Sequence, residues 1–146
     1  MANQTMLKFG YPDRLLREFE HWVVLLRPSQ VTLGSLVLAA KSDATAFGQL
    51  PHEAHAELAV VTKQLEETLT KEIGYEKINY LMLMMVDPHV HFHVFPRYAG
   101  SRSLGEHVLE DRGWPGPPDL GSGQQLPENA SDELRLRLMQ NWLITW

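Results

Sequence analysis

His89-Val90-His91-Phe92-His93-Val94-Phe95 places a histidine at every second position of a short apolar run. Alternation is the period of a β-strand, so the three imidazoles are expected on one face and Val90, Phe92 and Val94 on the other. The apolar face would anchor the strand in a core. The opposite face would carry three of the chain's 7 histidines. Imidazole near neutral pH is a nucleophile, a proton carrier or a metal ligand, and the reading of the chain turns on which of these this face provides.

Working outward, Glu76 to Val86 reads as a strand punctuated by Asp87-Pro88. It is expected to pair with the histidine strand as a tight antiparallel hairpin closed by Pro96 and Arg97. Upstream, Pro51 opens a helix over 51–73, where Leu58, Val61, Leu65, Leu69 and Ile73 form an apolar stripe and Gly74 is the stop. Trp22 to Leu26, halted at Arg27-Pro28, and Gly34 to Ala40 read as an earlier antiparallel pair. Residues 1–12 are weakly patterned and expected at the periphery, while 13–19 fit either a helical turn or a strand. Residues 100–129 are rich in Gly, Pro and Ser and read as an irregular surface segment. Ser131 is expected to cap a last helix over 131–145, with Leu134, Leu138 and Trp142 as its buried stripe. This order predicts one α+β domain spanning 1–146, an antiparallel sheet meander with helices packed on it.

A chain of 146 residues, 44% hydrophobic and 21% charged, suits one globular domain. Its formal net charge of -5 disfavours a broad nucleic-acid footprint but leaves room for a small nucleotide. With 0 cysteines, disulfides and thiolate metal sites are excluded. No apolar run approaches the length of a membrane span or a secretion signal. A cytoplasmic protein without nucleic-acid or membrane partners is the expectation.

Three readings of the histidine face follow from chemistry. The rings could be structural, although crowding three on one face is unusual. They could hold a metal with Asp87, which shares their parity; but a straight strand spreads the outer Cα atoms over about 13 Å, too far for one ion to take all three easily. Or the middle ring could attack an electrophile, one nitrogen free and the other fixed by an acceptor, while a neighbouring ring donates to phosphate oxygens. His21, His52, His55 and His107 show no such pattern.

The run His89 to Phe95 resembles the signature of the histidine-triad family, His-x-His-x-His followed by two apolar residues. The resemblance extends over roughly residues 20–98, taking in the hairpin with Gly34, the helix after Pro51, Asn79 and Pro96-Arg97. It implies a nucleotide-binding hydrolase or transferase acting at an α-phosphate, on substrates such as dinucleoside polyphosphates or nucleoside phosphoramidates. By the same resemblance, His91 would be the nucleophile, His93 would donate to a non-bridging phosphate oxygen, and His89 would set the nucleophile's geometry, partly through its carbonyl. Asn79 would face the nucleotide. A homodimer is implied, and no cofactor or metal is expected.

The chain departs from the family pattern in several places. Ser35 follows the hairpin glycine where many members carry histidine. Met84-Met85-Val86-Asp87-Pro88 replaces a glycine-rich stretch that contacts the phosphate and leaving group. Arg27 stands where some members have asparagine. Asp87 becomes a candidate proton donor by position, Arg27, Arg97 and Arg102 candidate phosphate ligands, and Trp114 a candidate for stacking on a base or for anchoring its loop. The Trp114-Pro115-Gly116-Pro117 segment resembles bacterial triad proteins of a less characterised branch.

Overall fold

In a computed structural model describing residues 2–145, five strands make the main antiparallel sheet. They are β1 (Leu15–Glu18), β2 (Trp22–Leu26), β4 (Leu36–Ala40), β5 (Lys77–Leu81) and β6 (His91–Arg97), in the spatial order β1-β2-β4-β6-β5. Two small pairs complete the strands: β3 (Ser29–Gln30) with β9 (Gln124–Gln125), and β7 (Ser101–Leu104) with β8 (His107–Glu110). The helices are α1 (Gln4–Lys8), α2 (His52–Glu72) and α3 (Glu128–Thr145). Among the described residues no helix is long and apolar enough to cross a membrane.

Register decides what each face of the sheet does. Trp22 lies opposite Ala40, Val24 opposite Leu38, and Leu26 opposite Leu36, which in turn faces Val94. These side chains form the main core with Val61, Leu65 and Leu69 of α2 and Leu134, Leu138 and Trp142 of α3. The alternate residues Val23, Leu25, Val37 and Ala39 point the other way, into a second core closed by Met6 of α1. Ala39 pairs with His91 and Val37 with His93, so the two histidines share this second face. Gly34 makes the β4 turn possible: its φ is +93°, and a Cβ there would meet Ile73 at 2.9 Å.

Several boundaries differ from the sequence expectation. Of the two readings left open for 13–19, the strand is the one present, as β1 over Leu15–Glu18. Strand β5 stops at Leu81 rather than Val86, and residues 82–90 form an open connection instead of a tight hairpin turn. Met84 there has φ +54°, which breaks the extended run. Pro96 and Arg97 are the last residues of β6 and pair with Ile78 and Lys77. Helix α3 starts at Glu128, because the Ser131 N–H already donates to the Pro127 carbonyl at 2.9 Å. Ser131 therefore sits inside the first turn, where its hydroxyl accepts from Arg14 Nη1 instead of capping. The 100–129 segment contains the β7–β8 hairpin, so it is less irregular than its composition indicates.

Candidate active site

Strand β6 begins at His91, so the three histidines do not form one straight row. Pro88 has no N–H to offer a ladder, and Val90 turns to donate to the Ala44 carbonyl at 3.1 Å. The His89 ring leaves the strand face and lies 3.0 Å from Thr5 Oγ1. His91 and His93 remain neighbours, with ring centroids 5.1 Å apart and planes at 81°.

Hydrogen bonds fix which nitrogen of each ring is free. His91 Nδ1 lies 2.7 Å from the His89 carbonyl oxygen. A carbonyl only accepts, so Nδ1 carries the proton and a neutral His91 has its lone pair on Nε2. Arg27 Nε donates to His93 Nδ1 at 3.2 Å. A guanidinium only donates, so the proton of a neutral His93 is on Nε2. His93 is held neutral: burial, then the Arg27 charge, then His91 push its pKa from 6.5 down to about 4. The pair thus presents one unprotonated nitrogen beside one N–H donor.

Arg27 is built into this arrangement. Its Nη1 donates to the Ser29 carbonyl at 2.7 Å, and its guanidinium lies over the Phe95 ring at 5.4 Å. Phe95 in turn stacks on His93 with an interplanar angle of 5°. Asp87 makes an ion pair with Lys8 at 2.7 Å. Phe9 lies over the triad, 5.7 Å from the centroids of both His91 and His93. Under it His91 is only 2% exposed. Among the described residues no cluster of three His, Asp or Glu side chains is placed to hold a metal ion.

Farther along the same face a cleft of about 490 Å³ opens between Lys77, Asn79, Arg97 and Trp114-Pro115-Gly116-Pro117. Arg97 is buried and donates twice to Asp111, at 2.7 and 3.0 Å. It also donates to Asn79 Oδ1 at 2.7 Å and to the Gly116 carbonyl at 2.9 Å. With Oδ1 claimed, the Asn79 amide is oriented with its N–H donors free for the cleft. Trp114 is half-buried in the cleft wall. Arg102 is elsewhere: it stacks on Tyr98 and donates to the Ile73 and Gly74 carbonyls, closing the C-terminus of α2.

The sequence reading missed Thr5, Lys8 and Phe9. A signal for them existed in Trp22 to Leu26 and Leu36 to Ala40, which are apolar at every position. An antiparallel sheet with one wet face alternates, whereas an unbroken apolar run means both faces are covered.

The family model of the HIT domain matches residues 9–100. No curated protein matches the chain. Among solved structures, the chain is similar to a histidine triad protein from Sinorhizobium meliloti 1021, with 23% identity, 97% of this chain and 96% of that one covered, and a TM-score of 0.75. A histidine triad protein from Marinobacter aquaeolei VT8 is 20% identical, with 99% and 96% covered and a TM-score of 0.73. A histidine triad nucleotide-binding protein from Sulfolobus tokodaii strain7 is 16% identical, with 96% and 90% covered and a TM-score of 0.70.

Proposed function

We propose that this chain, which belongs to the HIT domain family, is a nucleotidyl hydrolase acting at the α-phosphorus of a nucleoside 5′-phosphate derivative. The observation that carries the reading is the pair of opposed tautomers, a bare His91 Nε2 next to a His93 Nε2–H. In the first step the His91 lone pair forms a P–N bond and the bond to the leaving group breaks. A polyphosphate leaves as its anion with the bonding electrons; an amine takes a proton from solvent as it goes. The ring becomes a phosphorylated imidazolium, and the His89 carbonyl, still accepting from Nδ1–H, stabilises its positive charge. In the second step water attacks phosphorus, the P–N bond breaks, the water proton passes to solvent, and neutral His91 returns.

His93 Nε2–H and the Arg27 charge are the groups suited to a non-bridging oxygen. The Asn79–Trp114 cleft takes the far end of the substrate, with Arg97 holding Asn79 in place rather than meeting phosphate, since Asp111 already matches its charge. Asp87, paired with Lys8, brings both charges beside the site. A homodimer through the outer edge of β5 fits the exposed Leu83, Met85 and Val86 beside it. Sedimentation tests that assembly. A cytoplasmic setting fits soluble nucleotide substrates of this kind.

The near-complete burial of His91 favours a second reading, a nucleotide-binding regulator with weak turnover. Incubation with a dinucleoside polyphosphate and with adenosine 5′-phosphoramidate, each with a chelator, separates the two. Hydrolysis that survives chelation and is lost in His91→Ala, with labelled nucleotide trapped on His91 after acid-free denaturation, supports the hydrolase. Nucleotide binding with no product selects the regulator. Transfer to added phosphate in preference to water makes it a transferase.

A further inference from the structure

One buried polar side chain touches the triad without a part in the chemistry above. Thr5 is 1% exposed, and its Oγ1 meets His89 twice. It accepts the His89 main-chain N–H at 3.2 Å and lies 3.0 Å from the ring Nδ1. A hydroxyl has one proton. With two lone pairs besides that proton, the hydroxyl accepts the amide N–H and still pairs with Nδ1 in either ring tautomer, so both contacts hold at once.

The frame around Thr5 is rigid. Asn3 Oδ1 accepts from the Met6 N–H at 2.9 Å, capping α1, and Asn3 Nδ2 donates to the Ala40 and Ser42 carbonyls at 3.0 and 3.1 Å. Met6 is seated against Val23, Leu25, Val37 and Ala39. At the other end Lys8 holds Asp87, so α1 grips the 87–89 segment at two points. On the far side of His89, the Val90 N–H is tied to Ala44. The peptide groups on both sides of His89 are therefore fixed, and the carbonyl of the second, His89 O, is the acceptor of His91 Nδ1–H. Ser35, which stands where many family members have histidine, contributes nothing here: its hydroxyl donates to the Thr32 carbonyl at 2.7 Å within its own turn.

We propose that Thr5 is a positioning residue for the nucleophile: by clamping His89 at its N–H and ring, it holds the His89 carbonyl on His91 Nδ1 and keeps the lone pair on Nε2. The N-terminal turn is then part of the active site. The tautomer of an imidazole follows the hydrogen bond made by its other nitrogen, and a small loss of alignment in a reacting group costs up to about a hundredfold in rate. The inference rests on the nucleophile reading for its kinetic consequence, but its structural consequence is measurable in the resting protein.

The test uses the full chain, labelled with 15N, and adenosine 5′-phosphoramidate as the probe. Long-range 1H–15N spectra report the tautomer of each histidine. In wild type His91 should show protonated Nδ1 and bare Nε2. Thr5→Val should convert His91 to a mixture of tautomers and lower kcat by about tenfold to a hundredfold with KM changed less than about threefold. Thr5→Ser, which keeps the hydroxyl, should restore both. An unchanged His91 pattern and kcat in Thr5→Val overturn the proposal. So does a Thr5→Ser variant that behaves like Thr5→Val, because the methyl packing would then be what matters. If Thr5→Val fails to fold, Thr5→Ala and Thr5→Ser carry the same comparison. Loss of the tautomer in Thr5→Val alongside full turnover in His91→Ala leaves the positioning in place and removes the nucleophile; the reverse pattern removes the positioning and leaves the nucleophile.

Discussion

Acidification should unfold this protein partly through one residue, His93. In the folded state its pKa falls from 6.5 to about 4, first through burial and then through Arg27 and His91. The unfolded chain titrates near 6.5. Between these values the unfolded state binds a proton that the folded state refuses, so stability drops as pH falls. The His93 contribution is fully present above 6.5, is lost progressively through pH 5, and is gone below about 4. The gap between the two pKa values amounts to about 3 kcal/mol. His93 is 9% exposed, so solvent screening reduces this figure only modestly. Carboxylates titrate over part of the same range, which makes a difference measurement necessary. Urea unfolding of wild type and His93→Gln at half-unit steps from pH 7.5 to 4 isolates the imidazole. The stability gap between the two should close, then move in favour of glutamine, by about 3 kcal/mol across the range. A difference that stays flat within about 0.5 kcal/mol would refute the argument, since it would mean that His93 gains a proton as readily folded as unfolded.

Three further outcomes follow from the geometry. Arg97→Met removes the cation paired with Asp111, whose side chain is 1% exposed, and should cost about 3–5 kcal/mol in urea unfolding by leaving a buried carboxylate without its counter-charge. Gly34→Ala should cost more than about 1 kcal/mol, because φ is +93° and the new Cβ falls 2.9 Å from Ile73; a variant as stable as wild type contradicts the turn geometry. Phe9→Ala should speed carbethoxylation of His91 by diethylpyrocarbonate several-fold, read by mass spectrometry, because that ring shields an imidazole only 2% exposed.

What the sequence disclosed was whatever depends on local period. The α2 stripe of Val61, Leu65 and Leu69 and the α3 stripe of Leu134, Leu138 and Trp142 lie in the core as the 3.6-residue spacing requires. The β2–β4 pair and the antiparallel neighbour of β6 are present for the same reason. Helix α1 was illegible because five residues are too few to show a period, and the worth of α1 and its Asn3 cap lies in partners 37 to 84 positions away, such as Ala40 and His89. The departure of His89 from the strand was hidden for a related reason. Alternation says which residues would share a face if the strand continued, but Pro88 and the Ala44 carbonyl decide where it starts. The charge balance of Arg97 depended on Asp111, across a hairpin that the Gly- and Pro-rich composition around it obscured.

The same short helix that fixes the triad also covers it, and the spacing along α1 shows how both can hold. Thr5 and Phe9 are four residues apart, one turn of helix, and so project from one side of the segment. Thr5 sits deep, at a helix start that the Asn3 side chain ties to Met6, Ala40 and Ser42. Phe9 comes after the helix, as its C-terminal cap, with its N–H on the Thr5 carbonyl at 3.2 Å and its ring beside His91 and His93. If His91 Nε2 attacks phosphorus as proposed, a phosphate reaching it would have to move Phe9, while the proposed Thr5 clamp on His89 would keep that nitrogen unprotonated. On that reading, entry past the end of the helix, with its beginning held, would open His91 while preserving the tautomer. On the proposed mechanism, that division of labour would let a ring almost without exposure in the resting protein act on its substrate, and would place the cost of opening on substrate binding instead of on the bond-forming step.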